Sequence, residues 1–407
     1  MAKKICMVVA YHPFLDARIF KKEAKSLQKK GYRVTMIVPK KNGHLFDIDG
    51  TPFKKQFRSK VFTHEGIKIV TYNAENSRRP LNKVLNDEQM WERQGFHNPL
   101  TQLAIQEDAD IYHTHEYLSL FAGVGIKRLM KKKKGKDVKL IYDSHELTPD
   151  PLHPRNSEEK RKLLKQQLLV MLQDVDYVIA VSESIKAWYQ SHMPGLPVEV
   201  IYNSPPLNKN QQPKSFHSDR LSVGYEGNID DRKGSQNKII HISEICAAKT
   251  DFQFKIIGGK QHGSSVVIPN HLRRTITLTG WVDYHTIPQH MQDVDIGWID
   301  LSDVERSLNQ DYSLPNKFFS YLNSGVPVVT NKCQEMERFI RQHKCGYVID
   351  KTEPTPQDYA DVFLYLHQHR NTLQEMSQNG RKAMEKIYSW EKMEKRLFNI
   401  YHWLSVN

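Results

Sequence analysis

The sequence predicts an α/β chain of two domains, each built on a parallel, doubly wound sheet. Three observations carry that prediction. Short apolar runs recur along the whole chain, each followed by an amphipathic or polar stretch. The runs are continuously Val/Ile/Leu-rich rather than alternating, as strands covered on both faces require. A polar, proline-rich stretch over 203–218 has linker composition and separates two such series of similar length. A chain of 407 residues suits two or three domains at roughly 150 residues each.

Taken in order, the first series places strands at Ile5–Tyr11, Arg33–Pro39, Ile67–Tyr72, Ile111–His115, Lys139–Asp143, Tyr177–Ser182 and Val198–Tyr202. The pattern over Phe20–Lys30 is helical and ends on two lysines and Gly31, a basic last turn with a C-terminal glycine. The second series places strands at Leu221–Glu226, Phe252–Gly258, Ile276–Trp281, Val294–Asp300, Pro327–Thr330 and Tyr347–Ile349. The stretch Trp390–Leu404 is amphipathic and aromatic, and reads as a closing helix.

Hydrophobic residues make up 39% and aromatics 10%, enough for real cores and against a disordered chain. The 59 Lys and Arg against 46 Asp and Glu leave a net charge of +13, which favours phosphorylated ligands, polyanions or anionic membrane surfaces. Nucleic acid is not expected, because no recognised binding module appears. Cys6, Cys246, Cys333 and Cys345 are scattered, which excludes a disulfide scaffold and a cysteine-rich zinc site. No apolar stretch reaches the roughly 18 residues of a membrane span, and the first strand follows Met1 too closely for a signal peptide. A cytoplasmic location, with peripheral membrane contact as an option, is expected.

In open parallel sheets ligands bind outside the carboxyl ends of the strands, so the residues there are the candidates. The fourth strand ends in His113-Thr114-His115-Glu116 and the fifth in Asp143-Ser144-His145-Glu146, two polar clusters on one edge. For His113 and His115 three readings stay open: hydrogen-bonded histidines, a metal pair still needing a third ligand, or polar active-site groups. After the first strand comes His12-Pro13, then Asp16 and Arg18, whose bland reading is local pairing. In the second domain Gly227 and Asn228 lead into Asp231-Arg232-Lys233-Gly234, placing cations at a helix start, where they oppose the helix dipole unless an anion binds. Gly258-Gly259-Lys260 is a second glycine-rich turn, and Asn316-Lys317 repeat the lysine at a helix start. Together they predict a diphosphate pocket. The pairs Asp47/Asp49, Asp108/Asp110, Asp174/Asp176 and Asp293/Asp295 resemble metal motifs, but three of them directly precede strands and read as solvated strand starts. Lys131–Lys134 with Lys136 reads either as a solvated loop or as an anionic-surface contact.

These motifs, in this order, resemble retaining glycosyltransferases of the GT-B fold, glycosyltransferase family four, which use nucleotide sugars. The matching stretches include His12-Pro13…Asp16-x-Arg18, Asp110…His113-Thr-His115, Asp143-Ser-His145-Glu146, Asp231-Arg232-Lys233-Gly234, Leu314-Pro-Asn-Lys317-x-x-x-Tyr321 and Gly325-x-Pro327. The resemblance implies two Rossmann-like domains facing across a cleft: 1–205 on the acceptor side, 206–385 for the donor, and a helix over 386–407 crossing back. It implies transfer of a sugar from a UDP- or GDP-sugar to an envelope polysaccharide, lipid-linked or surface-glycan acceptor, with retention, no cofactor and no divalent metal. It implies that His115 stabilises the reacting centre and that Lys233 meets the donor diphosphate. Gly227, Asn228, Arg232, Gly258, Gly259, Asn316, Lys317 and Ser320 would complete the donor site. His12, Asp16, Arg18, His145 and Glu146 are the acceptor-side candidates. The chain departs from the family at Tyr312 and Ser320, where two glutamates eight positions apart are usual; a serine offers no charged bidentate grip. That departure motivates the alternative of a non-catalytic, glycan-binding relative.

Overall fold

The computed structural model describes residues 2–74, 98–209, 214–216, 218–229, 235–260 and 265–406. The chain packs as two compact units. The first contains 1–201, 306–309 and 394–407, and the second contains 202–305 and 310–393.

The first unit holds an eight-stranded sheet of β1 (Lys4–Val9), β2 (Arg33–Lys40), β3 (Val61–His64), β4 (Ile67–Asn73), β5 (Ile111–His115), β6 (Lys139–Ser144), β7 (Tyr177–Ala180) and β8 (Val198–Val200). Their spatial order is β3-β4-β2-β1-β5-β6-β7-β8. All pairs are parallel except β3 with β4. The edge strand β3 was not anticipated, because its alternating, half-exposed residues carry no continuous apolar run. In the centre, Ile5 to Val9 and Ile111 to His115 are buried, as helices on both faces require.

The helix expected over Phe20–Lys30 begins as a π-helical turn, Ile19–Ala24, and continues as the α-helix Lys25–Lys29. The Glu23 amide donates to the Arg18 carbonyl at 2.9 Å, the i to i+5 spacing that defines such a turn. Gly31, at φ +95°, ends the element in a conformation glycine takes without strain.

The lysine run is the last turn of the helix Tyr117–Lys134 rather than a loop, and Gly135 closes it at φ +63°. Cations there complement the helix dipole, and Lys134 and Lys136 sit 3.2 and 3.7 Å from Asp108. Three of the Asp pairs lie at amino ends of strands: Asp110, Asp176 and Asp295 each accept a neighbouring strand's backbone amide, from Lys4, Leu140 and Ser222 at 2.7–2.9 Å, whereas Asp47 and Asp49 bond within a local turn. The oxygens of Asp110, Asp176 and Asp295 are committed to sheet geometry.

The second unit holds a six-stranded, wholly parallel sheet of β9 (Leu221–Asn228), β10 (Phe252–Gly259), β11 (Ile276–Leu278), β12 (Ile296–Ile299), β13 (Val328–Asn331) and β14 (Gly346–Ile349), ordered β11-β10-β9-β12-β13-β14. Trp298, fully buried, anchors its core among Tyr225, Phe254 and Tyr359. The last helix, Trp390–Val406, begins in the second unit and ends in the first. The four cysteines are buried and unpaired. Among the described residues, no helix is long and apolar enough to cross a membrane.

Candidate functional site

In the first unit, β1, β5 and β6 lie side by side with His115 in register with Val9 and Asp143. Parallel pairing brings their carboxyl ends to one edge, which gathers residues more than a hundred positions apart. Arg18, 1% exposed, grips Asp143 bidentately, Nε to Oδ2 at 3.0 Å and Nη2 to Oδ1 at 2.9 Å, while Nη1 donates to the Ile201 carbonyl at 2.9 Å. Local pairing with Asp16, the bland expectation, is therefore not what the Arg18 side chain does. Asp16 instead accepts the Arg18 and Ile19 amides at 2.8 and 2.9 Å and fixes the start of the π-helical turn. That turn places Glu23 against Arg18, Oε1 to Nε at 3.0 Å but off the line of a hydrogen bond, so both Glu23 oxygens are buried without a hydrogen-bond partner.

The electrostatics follow from burial and these neighbours. Burial works to raise the Asp143 acid, but the Arg18 guanidinium overcomes it and holds Asp143 well below the usual carboxylate range. Burial, with the Asp143 charge beside it, pushes Glu23 well up. Of two adjacent acids, Asp143 is pushed toward its charged form and Glu23 toward its protonated form. Burial also pushes His115 down to about 4, so it is a neutral imidazole at pH 7. Its Nδ1 faces Asp143 Oδ2 at 3.3 Å and His145 Nε2 at 3.2 Å. Its Nε2 is buried with no hydrogen-bond partner, as is that of His113, whose Nδ1 meets the Tyr401 hydroxyl of the last helix at 2.9 Å.

Nearer the surface, His12 Nε2 lies 3.3 Å and His145 Nδ1 lies 3.5 Å from Glu116 Oε1. Glu116 holds φ +74°, a conformation a non-glycine residue keeps only when its surroundings enforce it; its amide donates to the Asp143 carbonyl at 3.0 Å. Glu146 accepts from Asn309 Nδ2 at 3.3 Å, and Asn309 Oδ1 accepts the Leu147 amide at 2.9 Å. All five acceptor-side candidates and His115 thus stand at one sheet edge. Sequence reasoning missed Glu23 and Tyr401, and placed Glu116 in a strand-end cluster without giving it a role. The i, i+5 pairing of Arg18 with Glu23 gives no α-helical or strand periodicity to notice.

In the second unit, Gly227 and Gly258 are register partners with φ +113° and +130°. A Cβ on Gly258 would stand 2.3 Å from the Gly227 carbonyl oxygen, so only glycine fits. Gly259 accepts the Ile229 amide at 2.9 Å. Lys317 Nζ lies 3.8 Å from the Tyr225 ring centroid and would be 3.7 Å from a Cβ on Gly227. It belongs to the first turn of the helix Asn316–Asn323, whose start Pro315 leaves without a side-chain cap. Ser320 is hydrogen-bonded to the Glu226 carboxyl, which burial pushes up. Among the described residues, Glu226 Oε2 and Asn228 Oδ1 are buried without hydrogen-bond partners. Gly227, Asn228, Gly258, Gly259, Asn316, Lys317 and Ser320 therefore share one sheet edge, and Glu226 and Tyr225 join them. Arg232 and Lys233 lie outside the described residues.

Residues 17–207 match the glycosyltransferase family 4 domain, and residues 220–369 match the glycosyl transferases group 1 domain. No curated protein matches the chain. Among solved structures it is similar to a sucrose-phosphate synthase from Thermosynechococcus elongatus, at 14% identity and TM-score 0.67 over 99% of both chains. It is likewise similar to Anabaena HepE in complex with UDP, at 15% identity and TM-score 0.65 over 98% of this chain and 99% of that one. A Staphylococcus aureus TarM variant bound to fondaparinux, α-GlcNAc-glycerol and UDP matches at 18% identity and TM-score 0.52, over 72% of this chain and 55% of that one. At these identities the likeness is one of fold.

Proposed function

The chain belongs to the GT-B glycosyltransferases, family 4 in its first half and group 1 in its second, and on that premise we propose that it moves a sugar from a nucleotide-sugar donor to a glycan acceptor. One observation supports the donor reading above others. Lys317 is held on the Tyr225 ring, at an uncapped helix start, beside two strand ends where only glycine leaves the backbone bare. Cation, free amides and exposed peptide together suit a diphosphate. UDP in the HepE structure favours a UDP-sugar, with a GDP-sugar as the competing donor. Fondaparinux and α-GlcNAc-glycerol in the TarM structure favour a glycan acceptor, and we propose an envelope polysaccharide, lipid-linked or surface glycan.

In the proposed reaction the bond from the anomeric carbon to the diphosphate oxygen breaks while the acceptor oxygen bonds to the same face. The acceptor proton passes to the departing phosphate oxygen, and configuration is retained. Lys317, with Lys233, meets the leaving charge and makes a divalent metal unnecessary there. Neutral His115, oriented by Asp143, stabilises the reacting centre through its ring.

Calorimetry with UDP- and GDP-sugars tests this. One donor is expected to bind, and Lys317→Ala to weaken it at least tenfold, since a charge-assisted hydrogen bond contributes about 1.5–3 kcal/mol. If no nucleotide sugar binds, or Lys317→Ala binds unchanged, the donor site is misassigned. Turnover with an added glycan acceptor excludes the non-catalytic alternative.

A further inference from the structure

We infer that His12, His145 and Glu116 form a binding site for a divalent transition-metal ion, zinc by their donor set. One ligand atom from each lies within 4.8 Å of the others. The two measured edges, His12 Nε2 to Glu116 Oε1 at 3.3 Å and His145 Nδ1 to the same oxygen at 3.5 Å, are close to those of a tetrahedral site. With metal–ligand bonds of about 2.0–2.1 Å, a tetrahedral zinc site has ligand–ligand edges of about 3.3–3.4 Å.

The second ring nitrogens strengthen the assignment. His12 Nδ1 lies 3.5 Å from Asp16 Oδ2, and His145 Nε2 lies 3.1 Å from Asp143 Oδ2. Each imidazole therefore has one nitrogen turned to Glu116 and the other to a carboxylate, the carboxylate–histidine–metal arrangement that orients zinc ligands.

The deeper group of Glu23, His113, His115 and Asp143 has comparable spacing but is a poorer site. Arg18 occupies both Asp143 oxygens and sets a fixed positive charge beside any ion. The outer three side chains, 27%, 10% and 14% exposed for His12, His145 and Glu116, leave an approach from solvent. Two nitrogen donors disfavour magnesium and calcium, which take oxygen ligands. The site draws only on the first unit, whereas the proposed diphosphate contacts belong to the second. It shares the first unit's sheet edge with the acceptor-side candidates His12 and His145, and His145 touches His115 at 3.2 Å, so the test is run without donor to keep metal binding separate from transfer.

The test is titration of the full-length, chelator-treated protein with Co²⁺ and then Zn²⁺, with no donor present. One equivalent of Co²⁺ should give visible absorption of tetrahedral intensity that Zn²⁺ displaces. His12→Ala and His145→Ala should each weaken binding at least tenfold. Glu116→Gln, which keeps the shape of the side chain, should do the same with unchanged far-UV circular dichroism. His285→Ala, an exposed histidine elsewhere, should leave the titration unaltered. Absence of a saturable one-equivalent signal would overturn the site, as would its survival in the His12→Ala/His145→Ala double variant.

Discussion

Arg18→Met tests whether the buried charge network organises the first unit's site. The side chain is 1% exposed and makes three hydrogen bonds of 2.9–3.0 Å, two to Asp143 and one to the Ile201 carbonyl. Methionine keeps much of the volume but removes the guanidinium that grips Asp143. Removing one partner of a buried ion pair costs about 3–5 kcal/mol, because the other charge stays desolvated. An orphaned carbonyl adds about 1–3 kcal/mol. His115 and His145, at 3.3 and 3.1 Å from Asp143, recover part of this by donating to it. The expected net loss is about 3 kcal/mol. Hydrogen exchange of the β1, β5 and β6 amides reads it, because two units need not unfold in one step. Adding Asp143→Asn removes the stranded charge and should restore a substantial part. A single variant within about 1 kcal/mol of the parent, or a double variant no better than the single, would refute the account.

Three further outcomes follow from particular contacts. Gly258→Ala forces a Cβ to 2.3 Å from the Gly227 oxygen at φ +130°; nucleotide-sugar affinity by calorimetry should fall more than tenfold, given about 1–3 kcal/mol for the backbone conformation alone. Thr355→Ala removes a capping box at the helix Pro356–Gln368 and should cost about 1 kcal/mol in thermal unfolding. Burial, with the Arg18 charge beside it, pushes the Lys22 amine down to about 7, while the unfolded chain keeps the ordinary 10.5. Between those values the unfolded state binds the extra proton, so this group makes stability rise with pH through that window. Lys22→Met should flatten the rise between pH 7 and 9 in denaturant unfolding, and equal slopes in both proteins would contradict it.

Much of the donor-side edge was legible because its requirements are local. Gly227, Gly258 and Lys317 stand out as backbone freedom and misplaced charge at strand or helix ends, whatever they touch in space. Glu226 and Tyr225 escaped notice because a carboxylate and a ring at a strand end have meaning only once Ser320 and Lys317 approach them.

Repeating apolar runs of strand length, punctuated by glycine and proline, determined the parallel α/β architecture, since hydrophobic period and turn chemistry are properties of short segments. They could not reveal β3, whose pairing depends on β4 rather than on its own pattern. Nor could they say which acid Arg18 would hold, that burial would push Glu23 upward, or that His12 and His145 would converge on Glu116. Those are decided by strand order and by an i, i+5 turn, which bring together charges far apart in the chain and remove the water that would otherwise screen them.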